Sequence, residues 1–167
     1  MFSKNILKNS IILSRHLWRL AAILLTAFII SGPASVEADE PQCGDFLAQT
    51  GKKPPGLEFI SCGTTQEFNL KVLSAEYRVP GGQAEAVEEF FMKEAGMGPL
   101  VFLCCGWEIK GYQPGYIEHN QKWTDPDIEK RYVIRMGSGE TFHYPRELWA
   151  EKMDWFYVEA ILYLESP

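Results

Sequence analysis

The sequence predicts an α+β fold: an antiparallel β-sheet of about five strands, helices packed mainly on one face, and disulfide staples. Three observations carry this. Alternating apolar and polar residues, the mark of a half-buried strand, run from Leu73 to Val79 and again from Tyr132 to Met136. A helical stripe of Ala84, Val87 and Phe91 stands between strand-like runs as the one clear crossover. All four cysteines, Cys43, Cys62, Cys104 and Cys105, follow a leader-like N-terminus, where an even count reads as disulfides.

The leader sets the compartment. Lys4, Lys8, Arg15 and Arg19 give a basic start, and Leu20 to Ile30 is an uninterrupted apolar run of eleven residues. Ser31-Gly32-Pro33 then breaks the helix, and Val36 and Ala38 supply the small or modest residues of a cleavage site. A signal peptide over residues 1–38, cut after Ala38, and export to the bacterial periplasm or beyond are the expectation. The apolar run is shorter than the roughly 20 residues that cross a hydrocarbon core. An uncleaved anchor beginning near Ile11 is the rival, and the one route to a membrane; it would bury charges at a cost. No lipobox precedes Cys43, whose neighbours are Glu40-Pro41-Gln42.

Residues 39–167 are expected to form a single domain of 129 residues, long enough for its own core. That stretch carries 12 Lys and Arg against 21 Asp and Glu, a net charge of −9. The sign is wrong for a phosphate backbone. The nearest basic cluster, Lys130-Arg131 with Arg135, has Glu129 beside it, so no nucleic-acid partner is expected.

The elements follow in order. "CGDFLAQTG" predicts a short helix stopped by Gly51, and "LEFISC" a strand after the stiff "KKPPG". Cys62-Gly63-Thr64-Thr65 is read as a turn, and Phe68 to Val79 as the clearest strand, ended by Pro80-Gly81-Gly82. "QAEAVEEFFMKEAG" predicts a helix with Gly96 as its stop and a solvated acidic face of Glu85, Glu88, Glu89 and Glu94. "PLVFLCCGWEIKG" reads as one strand apolar on both faces as far as Trp107. A turn at Pro114-Gly115, a short strand from Tyr116 and a loop over "WTDPDIEK" come next. A strand over "RYVIRMG", a short helix over "YPRELWAEKM" and a closing strand from Trp155 to Glu165 complete the chain.

The cysteine pair admits three connectivities. Side chains next to each other in a strand point to opposite faces, and a bond between Cys104 and Cys105 would force the peptide away from strand geometry. The favoured pattern therefore joins Cys43 and Cys62 each to one member of the pair, every bond adding about 2–4 kcal/mol. A bond between Cys104 and Cys105, leaving Cys43 with Cys62, is the alternative. Thioredoxin-type chemistry wants Cys-x-x-Cys at a helix start, which is lacking. His119 and His143 with adjacent cysteines make an odd zinc set, so neither a metal site nor a cofactor is expected.

Other candidates are weaker. Either His119 or His143 could serve as a general base, since histidine as a residue type suits that role, but no nucleophile signature accompanies them. Ser138 in "MGSGE" resembles a nucleophile elbow only superficially. Glu140, Arg146, Trp149 and Trp107 suggest a binding surface, since Trp and Arg are favoured anchors. The plainer alternative is an Arg–Glu pair pinning the helix to a turn, with Trp149 in the core.

Together "CGDFL", "KKPPGLEF" ending in Cys62, "AEYRV", "PLVFLCCGWE" and "GSGET…RELW" resemble an exported bacterial domain family of unknown function. The resemblance implies a small periplasmic or secreted α+β domain and no activity. The function expected is a non-catalytic exported binding domain, inhibitor or immunity-type, with a protein partner steered by charge. The alternatives are an exported hydrolase using His119 or His143 with a carboxylate, and a redox protein using Cys104-Cys105.

Overall fold

The computed structural model describes residues 41–119, 121 and 128–165. The expected leader, residues 1–38, lies outside them, as does most of the loop expected over "WTDPDIEK". Among the described residues seven strands form one antiparallel sheet, with three α-helices. In chain order they are α1 (Phe46–Gln49), β1 (Glu58–Glu67), β2 (Leu70–Pro80), α2 (Gly81–Ala95) and β3 (Leu100–Leu103). β4 (Gly106–Ile109), β5 (Gly115–Glu118), β6 (Arg131–Ser138), α3 (Trp149–Lys152) and β7 (Trp155–Tyr163) follow. Turns of 3-10 helix occupy Lys110–Tyr112 and Arg146–Leu148.

The strand order is β1-β2-β7-β6-β4-β3, with β5 also paired to β6. Seven strands replace the five expected for two reasons. Cys104-Cys105 turns the apolar run of residues 100–109 into the β3–β4 hairpin, with Leu103 opposite Gly106. Residues 115–118 pair in full along β6, from Gly115 opposite Ile134 to Glu118 opposite Arg131.

Alternation decides the core. Leu73, Ala75, Tyr77 and Val79 of β2 stand opposite Leu162, Ala160, Val158 and Phe156 of β7, and all eight are buried. Ile134 and Met136 of β6 continue that row. Phe46 and Leu47 of α1, Ala84, Val87, Phe91 and Ala95 of α2, and Trp149 of α3 join the same cluster. Each fully buried large apolar side chain contributes about 1.5–3 kcal/mol of transfer free energy. Residues of the opposite parity, Val72, Val133 and Ile161, form a second, smaller cluster backed by Tyr163.

Two boundaries differ from expectation. Cys62 to Thr65 continue β1, and the chain reverses at Phe68-Asn69, between the paired Glu67 and Leu70. A two-residue hairpin turn of this kind needs positive φ at both positions, and Phe68 (51°) and Asn69 (68°) supply it. Pro80 ends β2 as expected, but Gly81-Gly82 already belong to α2, which was expected to begin at Gln83. Gly81 is demanded by proximity: a Cβ there would sit 2.2 Å from the Met153 carbonyl oxygen and 2.3 Å from that of Trp149.

The disulfide joins Cys43 to Cys62, with Cα atoms 5.5 Å apart, whereas Cys104 and Cys105 are free thiols, both exposed. The favoured pairing of each to the other pair is overturned by strand order. Cys62 lies on β1 at one edge, and the Cys-Cys turn lies beyond β4 toward the other. Four inter-strand steps of about 4.8 Å separate β1 from β4, roughly 19 Å in all. A disulfide tolerates a Cα separation of about 7 Å at most.

Candidate functional site

The surface expected from Glu140, Arg146, Trp149 and Trp107 does not form. Trp149 is 1 % exposed and Trp107 6 %, because both indoles fill the space between α3 and the β3–β4 hairpin. They meet edge to face at 4.8 Å. The Arg146 guanidinium lies 4.6 Å from the Trp149 ring centre and 5.4 Å from that of Trp107. Both indole N–H groups are buried without a hydrogen-bond partner among the described residues. The aromatic part of the cluster therefore holds by packing and cation–π contact.

Arg146 does pin its turn, but to Glu88 rather than Glu140. Its two terminal nitrogens grip both Glu88 carboxylate oxygens, one at 2.9 Å, and Nη2 also donates to the Leu100 carbonyl at 2.8 Å. The Leu100 N–H donates to Glu88 Oε1 at 2.6 Å. Glu88 is thus buried at the centre of a polar knot, not solvated on an acidic face. The bond to Glu88 outweighs burial and raises the Arg146 pKa. Glu140 is exposed and lines a shallow depression with Thr141, Lys152 and Asp154.

His119 Nε2 lies 3.1 Å from the Glu129 main-chain carbonyl oxygen, not its carboxylate, and its ring tilts against Tyr132. His143 stacks on Phe102 at 4.6 Å. At the Cys-Cys turn the neighbouring Cys104 thiol, then burial and the charges of Glu140 and Glu108, push the Cys105 thiol up. Among the described residues no group of three or more His, Cys, Asp or Glu could hold a metal ion, and no helix is long and apolar enough to cross a membrane.

A groove of about 510 Å³ opens elsewhere, lined by Glu67, Phe68, Glu108, Tyr112, Pro114 and Arg135, among others. Phe68 is 83 % exposed and Tyr112 82 %. Both hold positive φ, 51° and 53°. The β1–β2 turn places Phe68, and the tight Lys110–Tyr112 turn, with Gly111 at φ 65°, places Tyr112. Between them Arg135 of β6 binds Glu67, and the Tyr163 hydroxyl donates to the other Glu67 oxygen at 2.7 Å. Burial alone would lower the Arg135 pKa, but the Glu67 bond and the charges of Glu67, Tyr163 and Glu159 together outweigh it and raise it. Burial and Glu67 together push the Tyr163 hydroxyl up. Glu108, exposed on β4, adds a carboxylate, so Glu67, Glu108 and Arg135 sum to one negative charge. Neither aromatic was singled out from the sequence; a glycine before Tyr112 and an asparagine after Phe68 were the available hints.

Two of the residues lining this groove, Glu67 and Phe68, lie in a recognisable region. Residues 34–107 match the family model of DUF4952, a domain of unknown function. The DUF4952 match takes in α1 to β3, the Cys43–Cys62 bond and Phe68, and it stops short of Glu108, Tyr112 and Arg135. It agrees with the resemblance read from the sequence and brings no activity with it. No curated protein and no solved structure matches the chain.

Proposed function

We propose that the chain is a non-catalytic, exported binding domain that takes a basic side chain of a protein partner into the groove between Phe68 and Tyr112. The observation that carries the reading is the pair of aromatics itself. A non-glycine residue in the left-handed region costs about 1–2 kcal/mol, and burial of a large ring would ordinarily offset that. Here the turns set the backbone, but both rings stand in solvent, so no packing gain calls for an aromatic in that conformation, as is frequent at ligand clamps. Two aromatic faces with a net carboxylate charge between them suit an arginine or lysine side chain, through cation–π contact of about 0.5–2 kcal/mol.

In this reading the helices cover one face of the sheet, and the contact surface lies on the other. Residues 39–167 carry a net charge of −9, which favours an inhibitor or immunity-type role against a basic protein, because opposite charge speeds encounter. The leader and the Cys43–Cys62 bond support an oxidising compartment.

Selection of a random displayed peptide library on the protein tests this. Peptides rich in arginine or lysine are expected, losing at least tenfold in affinity (about 1.4 kcal/mol) on the double variant Phe68→Gly with Tyr112→Gly. Glycine accepts both backbone conformations, so the melting temperature should hold. Selected peptides without basic residues, or affinity indifferent to the double substitution, would refute the groove as the contact surface.

A further inference from the structure

The β3–β4 hairpin turns on two residues, Cys104 and Cys105, between the paired Leu103 and Gly106. Cys104 takes φ 54°, and the Cys105 N–H donates to the Leu103 carbonyl at 2.6 Å. In an extended strand the two side chains would face opposite ways. In this turn, with Cys104 in the left-handed region, the backbone is not extended, and two free thiols stand exposed on neighbouring residues.

We propose that Cys104 and Cys105 form a dithiol modification site, closed to a vicinal disulfide by exchange with a small disulfide and reopened by thiols. One cysteine thiolate attacks a sulfur of the small disulfide, forming a mixed disulfide and expelling one thiolate. The second cysteine attacks the mixed disulfide, forming the Cys104–Cys105 bond and expelling the other. Two electrons pass to the small disulfide, which leaves as two thiols carrying the two protons. An exposed, strained disulfide has a high potential and is readily reduced, the property of a labile bond rather than a structural one. The chain holds its own contrast in Cys43–Cys62, which ties separated segments.

Closure also reaches beyond the turn. The Cys105 carbonyl accepts from the Thr141 N–H at 2.7 Å and so holds the segment between β6 and α3. That segment carries the His143 ring stacked on Phe102, and the Thr141 hydroxyl 3.3 Å from Met153 Sδ. An eight-membered ring re-aims the peptide between the two cysteines and, through Cys105, turns the next peptide, whose carbonyl then loses the Thr141 bond.

The test uses oxidised glutathione, followed by alkylation and trypsin, which releases residues 94–110 as one peptide holding both cysteines. The expected product has lost two hydrogens and carries no glutathione, while Cys105→Ser stops at a mixed disulfide with glutathione on Cys104. Amide exchange at Thr141 should rise on oxidation and return with reduced glutathione. A stable glutathione adduct on the unaltered peptide, a disulfide-linked dimer or unreacted thiols would overturn the site. Unchanged exchange at Thr141 would overturn its coupling to the segment. Cys43 and Cys62 fall on other tryptic peptides and report in the same digest.

Discussion

Arg146 meets Glu88 beneath two tryptophans, where the Glu88 side chain is 3 % exposed, whereas Arg135 meets Glu67 at the lip of a groove, at 38 % and 18 % exposure. The ions are the same, but their surroundings give them different work. Glu88 accepts from Arg146 and from the Leu100 N–H, so it fixes α2, the start of β3 and the turn before α3 to one another. Glu67 accepts from Arg135 and Tyr163, so it fixes the base of the β1–β2 tip and leaves Phe68 standing over it. A buried pair is a structural commitment, since either partner alone is an uncompensated charge. An open pair is cheap to keep and available for contact.

The comparison breaks most readily at the buried end. Arg146→Ala should cost about 3–5 kcal/mol, read as a fall in the urea midpoint; a loss under about 1 kcal/mol would show that Glu88 finds water instead. Next comes Cys62→Ser, which reopens a loop closed across a sequence separation of 19 and should cost about 3 kcal/mol by thermal unfolding. An unchanged melting temperature would mean that β1 is held by pairing alone.

Arg135→Ala sharpens the contrast at the open end. Its stability cost should stay below about 1 kcal/mol, while the affinity of selected basic peptides rises, because the groove, already net negative, becomes more so. A large loss of stability would make the second pair as structural as the first. Asp45 gives the smallest effect. Burial would raise its carboxyl pKa, but the hydrogen bonds from Lys53 and the Ala48 N–H outweigh that and hold it below the ordinary range. Its contribution is therefore complete above the unfolded value of about 3.9 and is lost as pH falls through the folded one. Asp45→Asn keeps the cap of α1 and should flatten that acid limb; equal slopes in both proteins would remove Asp45 from the account.

The sequence announced the framework better than the site. β2, α2 and β6 were legible because their apolar residues recur at fixed periods, and one period points one way. The two hairpin tips were not. Phe68 is no turn former, so the reversal was assigned to the nearby Gly63 and Thr64, and Cys104-Cys105 continued an apolar run that masked the corner. Arg146 and Glu88 lie 58 residues apart, and nothing in either neighbourhood names the other. Glu88 was hidden further by its company, one glutamate among four on a helix whose other face is plainly apolar. Trp149 in the core followed from its size, and the pinning Arg–Glu pair was anticipated in kind while its acidic partner was not. The groove escaped altogether, because it is made by two chain reversals brought together only by the sheet.

The Cys43–Cys62 bond, beyond holding β1 to the segment before α1, makes residues 44–61 a covalently closed loop that contains α1 and the "KKPPG" stretch. A protease that cuts once inside that loop produces two chain ends but no free fragment. Under non-reducing electrophoresis the nicked and intact proteins would run together, and only a reductant would tell them apart. Cleavage anywhere in this segment thus leaves the molecule whole.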